Sequence, residues 1–214
     1  VQLARGDGEG QVEPGSEERE DCDLIALSGG WAPAADLAYM AGCRGTYDEA
    51  QAEFRFSEMR AGFFAAGRVN GLHGAEGQRL DGQRAGLEAA ALLGLGAGPD
   101  PALAEEVQQA RQAQALRSFA PAPAAGEGKH FVCLCEDVTE IDVETAIAEG
   151  YESPELLKRY STISMGPCQG KMCGMNTLHL CARARGMTVG QVGRTTARPP
   201  VNPISLGNLA GQHL

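Results

Sequence analysis

Phe131-Val-Cys-Leu-Cys135 and Met165-Gly-Pro-Cys-Gln-Gly-Lys-Met-Cys173 are the two stretches on which the reading of this chain turns. The first places two thiols one residue apart, so an extended segment can aim both sulfurs into one concavity. The second places Cys168 and Cys173 in a loop rich in Gly and Pro. Gly166 and Gly170 permit unusual backbone angles there, and free amides at a following helix start can donate to sulfur. Between the two pairs lie two short helical signals. Thr139 is a good N-cap for a helix ending at Gly150, with Ile141, Ala146 and Ile147 as its apolar side. Ser153-Pro154 starts a second helix through Leu156, Leu157 and Tyr160. A third helix follows from about Met175 to Ala184, closed by Gly186.

Cys133, Cys135, Cys168 and Cys173 thus form the candidate metal site, and an iron–sulfur cluster is the favoured occupant. Structural zinc, which usually uses two knuckles with two to four residues between ligands, fits the C-x-C opening less well. Zinc, disulfides and unligated thiols stay open as alternatives. Cys22, Cys43 and Cys181 read as ordinary core or helix residues. His73, His130, His179 and His213 have no ligand spacing, and no arrangement of nucleophile and base is visible.

Upstream the signals are of another kind. Asp23-Leu-Ile-Ala-Leu-Ser-Gly-Gly30 and Gly62-Phe-Phe-Ala-Ala-Gly67 read as buried strands of a parallel sheet. Gly29 and Gly30 would turn the chain at the strand end, where α/β folds take ligands. A helix opens after Trp31 and Pro33 and stops near Gly42. Further helices are expected over residues 82–93 and 103–116. The opening, to about Cys22, reads as a hairpin edge or loop, and residues 119–128 as a Pro/Gly/Ala linker. The expected fold class is a partial α/β two-dinucleotide-binding domain followed by a small, mostly α-helical four-cysteine domain. The expected divisions are 1–98, a connector over 99–128, and 129–214.

The chain has 214 residues and a formal net charge of −10, with seven cysteines. That charge argues against nucleic acid and against an anionic membrane surface. No apolar run is long enough to span a bilayer. The odd cysteine count and the lack of a visible export signal point to reduced thiols in a cytoplasmic compartment.

Phe131-Val-Cys-Leu-Cys-Glu-Asp-Val, Leu157-Lys-Arg-Tyr-Ser-Thr, Met165 to Cys173 and Thr195-Thr-Ala-Arg-Pro-Pro-Val-Asn-Pro-Ile-Ser-Leu-Gly resemble the alpha subunit of heteromeric sarcosine oxidase and its relatives. Cys22-Asp-Leu-Ile-Ala-Leu-Ser-Gly-Gly-Trp-Ala-Pro33 looks like that subunit's nucleotide-binding region. The cysteine spacing is similar to the bacterioferritin-associated-ferredoxin type of [2Fe–2S] module, found also in hydrogen cyanide synthase and in opine or proline dehydrogenase subunits. The resemblance implies a [2Fe–2S] cluster on the four cysteines and FAD or NAD in the whole subunit. It also implies a hetero-oligomer in which a flavin-containing beta subunit oxidises the amine, and it makes this chain a piece of a longer subunit with no substrate-oxidising residue. Related flavin reductases carry Ala-x-Gly-Asp where this chain has Ala65-Ala66-Gly67-Arg68. Arg68 cannot accept the hydrogen bond of that acid, although it could meet a phosphate. Gly29, Gly30, Gly67 and Arg68 are therefore the candidate nucleotide residues. A four-cysteine zinc module that docks a partner without catalysis is the rival reading.

Overall fold

A computed structural model describes residues 2–5, 12–26, 31–114 and 128–210. The chain divides into two units, one spanning Trp31–Arg117 and the other Val1–Gly30 with Ser118–Leu214.

Among the described residues, the N-terminal segment of the second unit contributes a short antiparallel pair, β1 (Gln2–Leu3) with β2 (Glu18–Arg19). Leu24 and Ile25, expected in a buried strand, are exposed and form none, while residues 27–30, including Gly29 and Gly30, lie outside the described residues.

The unit Trp31–Arg117 begins with α1 (Asp36–Met40), which stops before Gly42 as expected. An antiparallel hairpin follows, β3 (Arg44–Asp48) against β4 (Glu53–Glu58). Tyr47, Phe54 and Phe56 hold it together, since side chains of period two meet across strands. Tyr47 and Phe54 lie edge to face at 5.1 Å, and Tyr39 of α1 meets Phe56 at 5.3 Å. The apolar run Gly62–Gly67 is a turn leading to a single 3-10 turn (Gly67–Asn70), not a strand, and Phe63 and Phe64 are partly exposed. A short apolar run creates a demand for burial but brings no backbone partner. Among the described residues every strand pairing is antiparallel and two-stranded, so the parallel sheet is not seen.

α2 (Ala75–Leu92) and α3 (Pro101–Gln112) complete the unit. Asp100 caps α3 by accepting from Ala102 N at 2.8 Å, ahead of Pro101. Leu72, Leu80, Leu103 and Val107 form the shared core, with Ala110 against it. The run expected as a connector is thus packed onto α2, within the unit Trp31–Arg117.

The C-terminal domain follows the sequence signals closely. β5 (Phe131–Cys133) pairs with β6 (Val138–Thr139), and α4 (Glu140–Ala148) starts at Thr139 in a reciprocal capping box with Asp142. α5 (Pro154–Ser161) is capped by Ser153, which accepts from Leu156 N at 3.3 Å. α6 (Gly174–Arg185) ends at left-handed Gly186, and α7 (Val189–Val192) and α8 (Leu206–Ala210) follow. The core gathers Val138, Val143, Ala146, Leu157, Ile163 and Leu180 with Cys133, Cys173 and Cys181. α4 turns Val143 and Ala146 inward, whereas Ile141 faces solvent, off the face expected for it.

Candidate metal centre

The two cysteine segments reach one place by local means. β5 delivers Cys133 into the core, and the chain then turns so that Cys135 is exposed. From the other side, the loop after α5 carries Cys168, half-exposed, and ends with Cys173 buried at the N-cap of α6. Gly166 lets the two segments touch. A Cβ there would lie 2.4 Å from Cys135 Cβ and 2.8 Å from Glu136 Oε1, closer than any side chain permits. Thr177 Oγ1 donates to Cys173 O at 2.8 Å and ties the loop end to α6.

The four thiols act on one another electrostatically, Cys135 chiefly with Cys168 and Cys173 chiefly with Cys133, while Cys133 also acts on Cys135 and Cys168 on Cys173. The Cys168 N–H donates to the Cys135 sulfur and favours its thiolate. The Cys168 thiol, slight desolvation and neighbouring sulfur charge outweigh it, and the Cys135 pKa rises. Burial opposes ionisation of Cys168, but the N–H groups of Met172, Gly170 and Lys171 and the Cys135 thiol overcome it, so its pKa falls. Burial, then the charge and thiol of Cys133, push Cys173 up to about 12, although Ser164 N–H donates to it.

All seven cysteines are free. Among the described residues no three His, Cys, Asp or Glu side chains converge as the ligands of one ion do. Backbone N–H groups of Met172, Gly170 and Lys171 stand around the Cys168 sulfur, the kind of outer support that a thiolate ligand takes. Cys181, buried in the same core, lies on α6 and is pushed up to about 11 by burial, a packing thiol. Cys43 is also buried, whereas Cys22 is exposed and belongs to no helix or strand.

The candidate nucleotide residues are arranged differently. Gly67 has a positive φ of 68°, and its N–H donates to Asp81 Oδ2 at 2.8 Å. Arg68 Nη2 donates to Trp31 O at 2.6 Å and lies 3.9 Å from Glu53 Oε2. Both groups are engaged inside the unit. Asp81, fully buried, also accepts from Asn70 Nδ2 at 2.9 Å and pairs with Arg84 at 2.8 Å. His73, which has no ligand spacing in the sequence, packs against buried Glu53, with Nε2 3.0 Å from Oε1. Nothing in the spacing of Glu53, His73 and Asp81 announces this; the contacts bridge β4, the 3-10 turn and α2.

The arrangement defines a class: a mixed unit of helices and an antiparallel hairpin, joined in sequence to a small, mostly helical domain that carries four free cysteines in two segments. Comparison with known proteins supports a particular family within it. Residues 127–212 match the sarcosine oxidase A3 domain. The chain is 32% identical over 209 residues to an opine oxidase subunit of Rhizobium meliloti (strain 1021), covering 91% of this chain and 45% of that protein. It is 34% identical over 210 residues to the alpha subunit of sarcosine oxidase from the same strain, covering 93% of this chain and 20% of that one. Hydrogen cyanide synthase subunit HcnB of Pseudomonas protegens is 25% identical over 222 residues, covering 95% of this chain and 46% of its own. The chain spans less than half the length of these relatives. The fold is similar to the crystal structure of L-proline dehydrogenase from P. horikoshii, with a TM-score of 0.67 and 18% identity over 84% of this chain and 37% of that one. No described helix is long and apolar enough to cross a membrane.

Proposed function

We propose that this chain is part of the alpha subunit of a multi-subunit, flavin-dependent amine oxidoreductase, and that Cys133, Cys135, Cys168 and Cys173 hold a [2Fe–2S] cluster in it. The observation that carries the reading is four free thiols, two buried and two open to the surface, that act on one another electrostatically within a segment that matches a sarcosine oxidase domain. A cluster bound there supplies one-electron exchange, which suits a relay and not substrate chemistry. The protein's own part is to fix the thiolates. Cys133 and Cys173 hold the deep side in the apolar core, and the N–H groups of Gly170, Lys171 and Met172 spread charge from Cys168. Cys135 brings the site to the surface, where a partner's electrons can arrive without the domain opening.

Amine oxidation itself is assigned to a flavin-containing partner subunit, as the resemblance to heteromeric sarcosine oxidase implies. The sarcosine and opine oxidase relatives, themselves named as subunits, support a hetero-oligomer. FAD or NAD belongs to this reading only at the level of the whole subunit. Gly67 N–H and Arg68 are already engaged, so no nucleotide contact is given to them, and Gly29 and Gly30 lie outside the described residues.

The test uses the full chain, reconstituted anaerobically with iron and sulfide. The expected result is two irons and two sulfides per chain, visible absorption, and a reduced-state EPR signal that Cys168→Ser alters or abolishes. A colourless protein that takes up one zinc per chain would overturn the relay and favour a docking module.

A further inference from the structure

A cavity of about 410 Å³ lies beside the hairpin, walled by Thr46, Tyr47 and Asp48 of β3, Arg55 and Phe56 of β4, and Arg111 of α3. It is remote in sequence from the cysteines and carries no role in the reading above. Two guanidinium groups converge at its base. A Cβ built on Gly71, whose φ is 79°, would lie 2.8 Å from Arg55 Nε and 3.3 Å from Arg111 Nη1, so both side chains pass over one backbone point. Only glycine leaves room for them there.

The two arginines are unequally satisfied. Arg55 Nη1 pairs with Asp48 at 2.9 Å, and its Nε, 3.9 Å from Glu53, is buried without a hydrogen-bond partner. Arg111 Nη1 donates to Asn70 O at 2.7 Å, but among the described residues no carboxylate lies within ion-pairing distance of it. Burial, then the like charge of Arg55 and that of Arg84, lower the Arg111 pKa, with Asp81 and Asp48 acting the other way. Half-buried cations of one sign held together with unused donors are costly in a medium of reduced dielectric. An oxyanion offsets the repulsion and takes the donors at once. Burial, then nearby Glu49, Asp48 and Glu53, push the Tyr47 hydroxyl up to about 12.

We propose that this cavity binds a phosphate group, with Arg55 Nε and the remaining N–H groups of Arg111 as its donors. The space is larger than a bare phosphate needs, and the faces of Tyr47 and Phe56 offer an apolar wall for an organic body attached to it. The inference is independent of the four-cysteine reading.

The experiment titrates the full chain with inorganic phosphate, then with phenyl phosphate, at fixed ionic strength. Calorimetry gives the affinity and ¹⁵N NMR follows the arginine Nε–H signals. Saturable binding that moves the Arg55 signal, and that weakens about tenfold or more in Arg111→Gln while exposed Arg60→Gln binds as the parent does, establishes the site. Tighter binding of phenyl phosphate identifies a phosphate ester as the ligand, and equal binding identifies free phosphate. Absence of saturable binding by the unaltered chain, or equal binding by a folded Arg111→Gln variant, overturns it. The Arg55 signal of the unaltered chain decides the matter even if the variant does not fold.

Discussion

The two units keep their interiors in order by opposite means. In Trp31–Arg117 the interior carries charge: Asp81 is held by Arg84, Gly67 N and Asn70, and Glu53 by His73 with Arg68 and Arg55 near. The C-terminal domain is filled by aliphatic side chains and thiols, and its ion pairs, such as Arg183 with Glu140 and Arg185 with Glu152, stay at the surface. Buried charge fixes geometry through direction and partner count, because each uncompensated group carries a desolvation cost. An apolar core fixes geometry through volume. The first unit therefore depends on each partner being present, and the second on each space being filled.

Asp81→Ala gives the sharpest test of that contrast, because it leaves half-buried Arg84 with Glu88 as its one carboxylate. A loss of about 3–5 kcal/mol is expected, read as faster hydrogen exchange in α2 with the C-terminal domain unaffected. A loss confined to a few tenths would break the comparison. In the other domain Leu157→Ala removes a fully buried side chain and should cost about 2–5 kcal/mol, seen in α4, α5 and α6. Gly166→Ala comes next, at about 1–3 kcal/mol, because its Cβ has no room beside Cys135. Iron content per chain should fall with it, and a normal iron content in a folded variant would remove Gly166 as the hinge of the site.

Thr139→Ala should cost about 1 kcal/mol, measured as a lower midpoint in urea. Its effect depends on pH. The Thr139 hydroxyl and then its N–H hold the Asp142 carboxyl below its ordinary value. A depressed carboxylate contributes stability above its unfolded pKa of about 3.9 and loses it as pH falls through the folded value. The gap between parent and variant should therefore narrow in acid. Smallest of all, Glu58→Gln breaks an exposed contact with Arg44 at 3.7 Å and should change stability by less than about 1 kcal/mol, whatever the unit's dependence on buried charge.

The same contrast explains where the sequence is readable. In the C-terminal domain each boundary is set by a neighbour within a few residues: Thr139 and Ser153 cap, Pro154 starts, Gly186 ends. The four cysteines can be named as a set because each pair is close in sequence and thiols have few other reasons to cluster in loops. Leu24, Ile25, Phe63 and Phe64 mislead, since apolarity does not say which strand will lie alongside. The β3–β4 hairpin is hidden because charged residues interrupt its alternation, and α3 reads as a connector because the stripe formed by Leu103 and Val107 is narrow.

By itself the sequence determined the caps and helix ends of the C-terminal domain, and it named four thiols as a candidate set and a family that the chain resembles, all carried by local chemistry. Only the tertiary structure decided that two of those thiols are buried and two open to the surface, that Glu53 and His73 meet across 20 residues, and that Arg55 and Arg111 share one cavity. Those facts depend on contacts between distant elements, where burial and charge act through space and leave no periodic mark along the chain.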